Sequence, residues 1–162
     1  MSARGSIWKP VAIAAAVAIF IGFLGGMLTD VGPWYQALKK PSWQPPDWLF
    51  GPAWTTIFAF AVASAVSAWR NAPSRPQRDI VIVLFAINGC FNVLWSTLFF
   101  AIKRPDWALV EVGFLWLAIL VPMIVFWRFS KLASLLLLPY LAWVTFAAYL
   151  NLTVVRLNAP FV

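Results

Sequence analysis

Five stretches of the chain are continuously apolar, at about 10–28, 50–69, 80–102, 107–126 and 132–155. About twenty helical residues, each rising about 1.5 Å, span a hydrocarbon core about 30 Å thick. Each stretch meets that length with few or no charges. The apolar positions run on without a two-residue alternation, which excludes the strands of a membrane barrel. The pattern predicts an all-α membrane protein, a five-transmembrane-helix bundle that uses 1–162 as a single transmembrane domain. Arg4 and Lys9 precede the first run in the manner of a signal peptide, but no A-x-A site follows it. It is read as a retained first helix.

One connection breaks the pattern of short loops. Residues 29–49 hold Trp34, Tyr35, Trp43 and Trp48 among Pro33, Pro41, Pro45 and Pro46. A disordered linker is poor in aromatics, and a long loop in a small protein often acts as a lid. Prolines restrict its backbone and suit it to a fixed shape over the mouth of the bundle. An aromatic belt at headgroup level is the other reading; it does not require the prolines.

Composition removes whole classes of function. The chain is 63% hydrophobic and 10% charged, with a mean hydropathy of +0.85, which leaves no residues for a soluble domain. Twelve Lys and Arg against five Asp and Glu make it basic. These cations fall in small groups between the apolar runs, as loop charges facing lipid headgroups do, and not along a face that would track nucleic acid. Arg4, Lys9, Arg70, Arg75, Arg78, Arg128 and Lys131 fall on one side; Lys39, Lys40, Lys103, Arg104 and Arg156 fall on the other. That small excess leans towards a cytoplasmic N-terminus if the membrane is an inner one. Cys90 is the only cysteine and histidine is absent. An intramolecular disulfide, a cysteine-based metal site and the usual general base are thereby missing, and nothing requires a cofactor.

Polar residues inside the spans are the candidate chemistry. Asn88, Asn92, Trp95 and Phe99 recur at helical spacing on one stripe of the third helix, and Tyr140, Trp143, Ala147 and Asn151 form a matching stripe on the fifth. Amides within a membrane must find partners, across a helix interface or in a cavity; both readings stand. Small Ala147 beside Trp143 leaves room for a flat ligand or for close helix packing. Pro139 and Pro122 are expected to bend the fifth and fourth helices. Glu111 is an intramembrane carboxylate near the start of the fourth helix, where the dipole favours an anion and Lys103 or Arg104 is expected to reach it. Gly22 and Gly26 form G-x-x-x-G, a weak pointer to a homodimer. A proton-coupled transporter usually needs a relay of ionisable groups, and Glu111 alone makes none.

The loop sequence from Trp34 to Trp54, W-Y-Q-A-L-K-K-P-S-W-Q-P-P-D-W-L-F-G-P-A-W, closely resembles the signature of the TspO/MBR family. This family holds the tryptophan-rich sensory proteins of bacteria and the mitochondrial translocator protein, or peripheral benzodiazepine receptor. N-G-C-F-N-V-L-W-S-T-L-F-F (Asn88 to Phe100) and P-Y-L-A-W-V-T-F-A-A-Y-L-N (Pro139 to Asn151) are similar to the same family. The resemblance implies a multi-pass receptor or sensor, often a homodimer, that binds tetrapyrroles such as protoporphyrin IX, and in some members sterols and drug-like molecules. It implies a ligand-binding pocket under the first loop formed by Tyr35, Pro41, Trp43, Pro46, Trp54, Asn88, Asn92, Trp95, Trp107, Trp143 and Ala147. Some bacterial members are associated with light-dependent porphyrin breakdown, for which Trp54 and Trp143 would be the catalytic candidates; transport of porphyrin-like ligands is a further alternative. The resemblance suggests a membrane of the bacterial cell envelope, inner or outer. The sterol pattern of the animal proteins is broken here, because six residues separate Tyr149 from Arg156.

Overall fold

The computed structural model describes residues 8–161; Arg4, counted above among the flanking charges, lies outside them. The chain forms α1 (Trp8–Leu28), a short α2 (Pro33–Ala37), α3 (Phe50–Asn71), α4 (Arg75–Ser96), α5 (Pro105–Trp127), α6 (Lys131–Leu136) and α7 (Leu138–Asn158). Among the described residues there is no strand, and five helical segments are long and apolar enough to cross a membrane, α6 and α7 together making the fifth.

Proline sets several of the boundaries. α2, α4, α5 and α7 each carry one in the first turn, where the missing N–H would have had no partner. In the last span this alters the expected bend. Pro139 cannot donate to the carbonyl four residues back and its ring crowds that carbonyl, so α6 ends at Leu136. The helix restarts with Leu141 N donating to the Leu137 carbonyl (3.0 Å). The expected bend at Pro139 is therefore a break at Leu137. Pro122, by contrast, lies inside an unbroken α5. The carbonyl to which an N–H at position 122 would have donated belongs to Ala118, and Asn88 Nδ2 of α4 approaches that oxygen at 3.5 Å. A neighbouring helix thus helps to satisfy the group that the proline leaves free.

α4 ends in a wide π turn over Thr97–Ala101, in which Ile102 N donates to the Thr97 carbonyl (2.8 Å). Such a turn rotates the side chains that follow it relative to the α-helix, and here it buries Phe99 and Phe100. Lys103 then takes a left-handed φ of 60°, which reverses the chain into α5.

Around the bundle α1 packs on α3 and α4, α3 on α6 and α7, these on α5, and α5 back on α4. The shared core includes Ile57, Val81, Leu115, Ile119, Phe126, Tyr140 and Val144. Large apolar side chains cover the outside, among them Phe20, Ile82, Phe114 and Ile124, as a surface facing lipid requires. α1 is the outermost element and has no buried residue. It still approaches α4 closely at one place, where the Ile21 side chain lies against Gly89 and an added Cβ would displace its terminal methyl.

The first loop has a definite shape. The Lys39 backbone N–H donates to Asn158 Oδ1 (2.8 Å), and Asn158 Nδ2 donates back to the Lys39 carbonyl (2.9 Å). Trp43 stacks on Tyr149 with centroids 5.2 Å apart, and Tyr35 packs against Phe100 at 5.7 Å. The loop is thus fastened to the end of α7 and to the π turn. Trp48 points outward and is 71% exposed, the placement expected of a belt residue.

Candidate functional site: an aromatic cavity between the helices

α1, α3, α4, α7 and the first loop line a cavity of about 870 Å³ that is partly open to the outside, where Ile19, Gly26 and Thr55 are exposed. Its walls follow from side-chain periodicity. Phe50, Trp54 and Phe58 recur every four residues of α3 and so share one face. Trp54 stacks on Phe58 at 5.6 Å and meets Trp143 of α7 edge to face at 6.4 Å. Trp143 in turn packs against Phe50 at 5.7 Å and Phe146 at 5.6 Å. On the α4 side Trp95 stacks on Phe99 at 5.1 Å, and Phe99 and Phe100 extend that wall towards the loop.

The two polar stripes meet behind these aromatics. Asn92 Nδ2 donates to the Tyr140 hydroxyl (3.1 Å), which donates to Asn88 Oδ1 (3.2 Å). Nearer the loop, Trp95 Nε1 donates to Asn151 Oδ1 (3.2 Å), and Asn151 Nδ2 donates to the Pro105 carbonyl (2.9 Å). The amides therefore join helices and also form part of the wall, since Asn92 and Asn151 both border the cavity. Interhelical bonding and cavity lining are not alternatives here.

Of the residues singled out from the sequence, Tyr35, Trp54, Asn92, Trp95, Trp143 and Ala147 border the cavity. Pro41, Trp43, Pro46, Asn88 and Trp107 do not. Asn88 is engaged by Tyr140 and by Ala118 one layer behind the wall. Trp43 is held on Tyr149, and Trp107 is half exposed beneath the Arg104 guanidinium, 4.4 Å from its ring. Sequence reasoning missed Phe50, Phe58 and the α1 glycines. The four-residue repeat of Phe50, Trp54 and Phe58 was the available signal. Gly22 and Gly26 face this cavity, and at Gly26 an added Cβ would meet nothing within 4 Å. At Gly22 an added Cβ would come within 3.3 Å of the Phe58 ring, so this glycine lets α1 approach α3 closely, while Gly26 leaves open space at the cavity edge.

The expected partner of Glu111 is absent. Arg104 turns instead to Asp106, with Nε and Nη2 at 2.9 and 2.6 Å from its two carboxylate oxygens. Glu111 is buried, and neither of its oxygens has a hydrogen-bond partner among the described residues. A buried polar group without a hydrogen-bond partner costs about 1–3 kcal/mol. Glu111→Met keeps an unbranched side chain of similar length and leaves no unpaired polar atom, so its unfolding midpoint in detergent is expected to equal or exceed that of the parent. A clear fall would mean that the carboxyl makes a favourable interaction.

At the loop end the wall becomes polar. The Tyr35 hydroxyl donates to Asp47 Oδ1 (3.2 Å) and accepts from Gln44 Nε2 (3.1 Å). Burial, with the Asp47 charge adding to it, pushes the Tyr35 phenol up to about 12. It therefore remains a neutral hydrogen-bonding group at physiological pH. No group of three or more His, Cys, Asp or Glu side chains suited to a metal occurs among the described residues.

Comparison with known proteins agrees with this architecture. Residues 12–157 match the model of the TspO/MBR family. The chain is 40% identical to the tryptophan-rich protein TspO of Chlorobaculum tepidum, over 91% of this chain and 94% of that protein. It is also 40% identical to the tryptophan-rich protein TspO of Archaeoglobus fulgidus, over 95% and 99%. Identity to the human translocator protein is 33%, over 77% of this chain and 75% of that one. Relatives thus occur in bacteria, archaea and animals, and this multi-pass integral membrane protein belongs to the TspO/MBR family.

Proposed function

We infer that the protein is a membrane receptor or sensor for tetrapyrroles of the protoporphyrin IX type, held in the cavity beneath the first loop. The observation that carries this reading is the cavity's wall. It combines a volume of about 870 Å³, within the range of ligand sites, with indole and phenyl groups from three helices and the π turn. A porphyrin is a flat, extended π-system, and stacked or edge-on aromatics bind such a surface with defined geometry. The first loop, fastened to α7 and bordering the cavity, acts as the lid. The name of the human relative, translocator protein, is consistent with ligand handling in a membrane. Titrating the purified protein with protoporphyrin IX, while following tryptophan fluorescence, is expected to give saturable quenching at one ligand per chain. Linear, unsaturable quenching would argue against a site.

A second reading, consumption of bound porphyrin under light, is favoured by one observation: Trp54 and Trp143 meet edge to face at 6.4 Å on the cavity wall, in reach of an excited ligand. Illuminating the complex in air separates the two readings. A new product band that disappears when both indoles are replaced by Phe would make the protein an enzyme, and unchanged porphyrin would leave it a receptor.

A further inference from the structure

The cavity is apolar along most of its length and carries charge only at its loop end, where Lys40 and Asp47 are the charged side chains that border it. Their situations differ. Asp47 is already engaged: Oδ1 accepts from Tyr35 and lies 3.4 Å from Gln44 Nε2, and Oδ2 lies 3.5 Å from Gln36 Nε2. Lys40 has no carboxylate within ion-pair distance among the described residues, where Arg104–Asp106 is the one such pair. Its Nζ stands over the Tyr35 ring, 3.7 Å from the centroid. An aromatic face steadies an ammonium group but accepts none of its three N–H bonds in the way a carboxylate does.

The position of Lys40 is also built. On its N-terminal side the Lys39 backbone is clamped in both directions by Asn158. On its C-terminal side Pro41 fixes its own φ and restricts the backbone of the residue before it. The side chain therefore starts from a constrained backbone and ends on an aromatic platform at the cavity mouth. An ammonium preorganised in this way, beside an apolar chamber, suits a ligand whose apolar body enters the bundle while an anionic group stays at the rim.

We propose that Lys40 anchors a carboxylate of the ligand, so that the site selects amphipathic acids over neutral molecules of the same shape. The proposal rests on the porphyrin reading for the apolar body; the propionate carboxylates of protoporphyrin IX supply the acid. It explains how one apolar chamber distinguishes ligands that stack equally well, since stacking does not sense the difference between an acid and its ester.

The test pairs two ligands with two proteins in a neutral maltoside detergent. Protoporphyrin IX and its dimethyl ester are titrated into the parent protein and into Lys40→Met, which keeps an unbranched apolar stem and loses the ammonium. The parent is expected to prefer the diacid by about tenfold, the scale of one charge-assisted hydrogen bond. Lys40→Met is expected to bind the diacid as weakly as the ester while its ester affinity stays at the parental value, which also reports that it is folded. Lys40→Arg should retain the preference. Equal binding of both ligands by the parent, or a preference that survives in Lys40→Met, overturns the proposal and leaves the porphyrin reading standing. No saturable binding of either compound overturns both. Added phosphatidylglycerol is expected not to displace the diacid; displacement that requires Lys40 would assign the ammonium to a lipid phosphate instead.

Discussion

Replacing both Trp54 and Trp143 by alanine is expected to weaken protoporphyrin IX binding by roughly 30-fold or more, equivalent to about 2 kcal/mol. The two indoles border the cavity from different helices and touch each other, so their joint removal strips one continuous stretch of the aromatic wall. Each also has other neighbours, Phe58 and Tyr140 for Trp54, Phe50 and Phe146 for Trp143, and these are expected to keep the helices in place. Helix content by circular dichroism should therefore change little while the affinity falls. The double Phe variant retains aromatic area and should bind more tightly than the double Ala variant. Equal affinity in all three proteins would move the site away from this wall.

Replacing Asn151 by leucine is expected to destabilise the bundle by about 1–3 kcal/mol, because the Trp95 N–H then lies inside the protein without its acceptor. Asn151 is 1% exposed and joins α4 to the start of α5 from its place on α7. Leucine has similar bulk and makes neither bond. The measurement is an unfolding titration of the parent, Asn151→Leu, Trp95→Phe and the double variant. If the pair is coupled, Trp95→Phe costs much less in the Asn151→Leu background than alone. Additive losses would mean that the hydrogen bond contributes little and that packing alone decides.

The five spans could be read from the sequence because the bilayer leaves little choice: a segment crossing it must be long, apolar and helical. The stripes on α4 and α7 were legible for a related reason. Asn88, Asn92, Tyr140 and Asn151 are polar groups in an apolar setting and must meet partners, and they do meet across the helix interfaces. What the pattern left hidden depended on rotation and choice of partner. Gly22 and Gly26 suggested close helix approach, which holds at Gly22 against Phe58 of α3, but small residues carry no signal to show that Gly26 borders open space instead. The π turn after Ser96 is a local change of winding without a marker of its own, although it turns Phe99 and Phe100 into the interior. Arg104 had two carboxylates within reach in sequence. Asp106 won because it stands at the exposed start of α5 beside it, whereas Glu111 lies a turn deeper in the core. Likewise the pairing of Asn88 with the carbonyl freed by Pro122 required knowing that α4 packs against α5.

The most direct test of the ligand's location is to fill the cavity from its least crowded wall. Gly26→Phe introduces a ring where an added Cβ meets nothing within 4 Å, on a helix that has no buried residue to disturb. Protoporphyrin IX is titrated into this variant and the parent, with the thermal unfolding midpoint recorded for both. If the ligand lies between α1, α3, α4 and α7 beneath the loop, the variant keeps its midpoint and loses saturable quenching. A variant that keeps its midpoint and binds with parental affinity would place the ligand elsewhere.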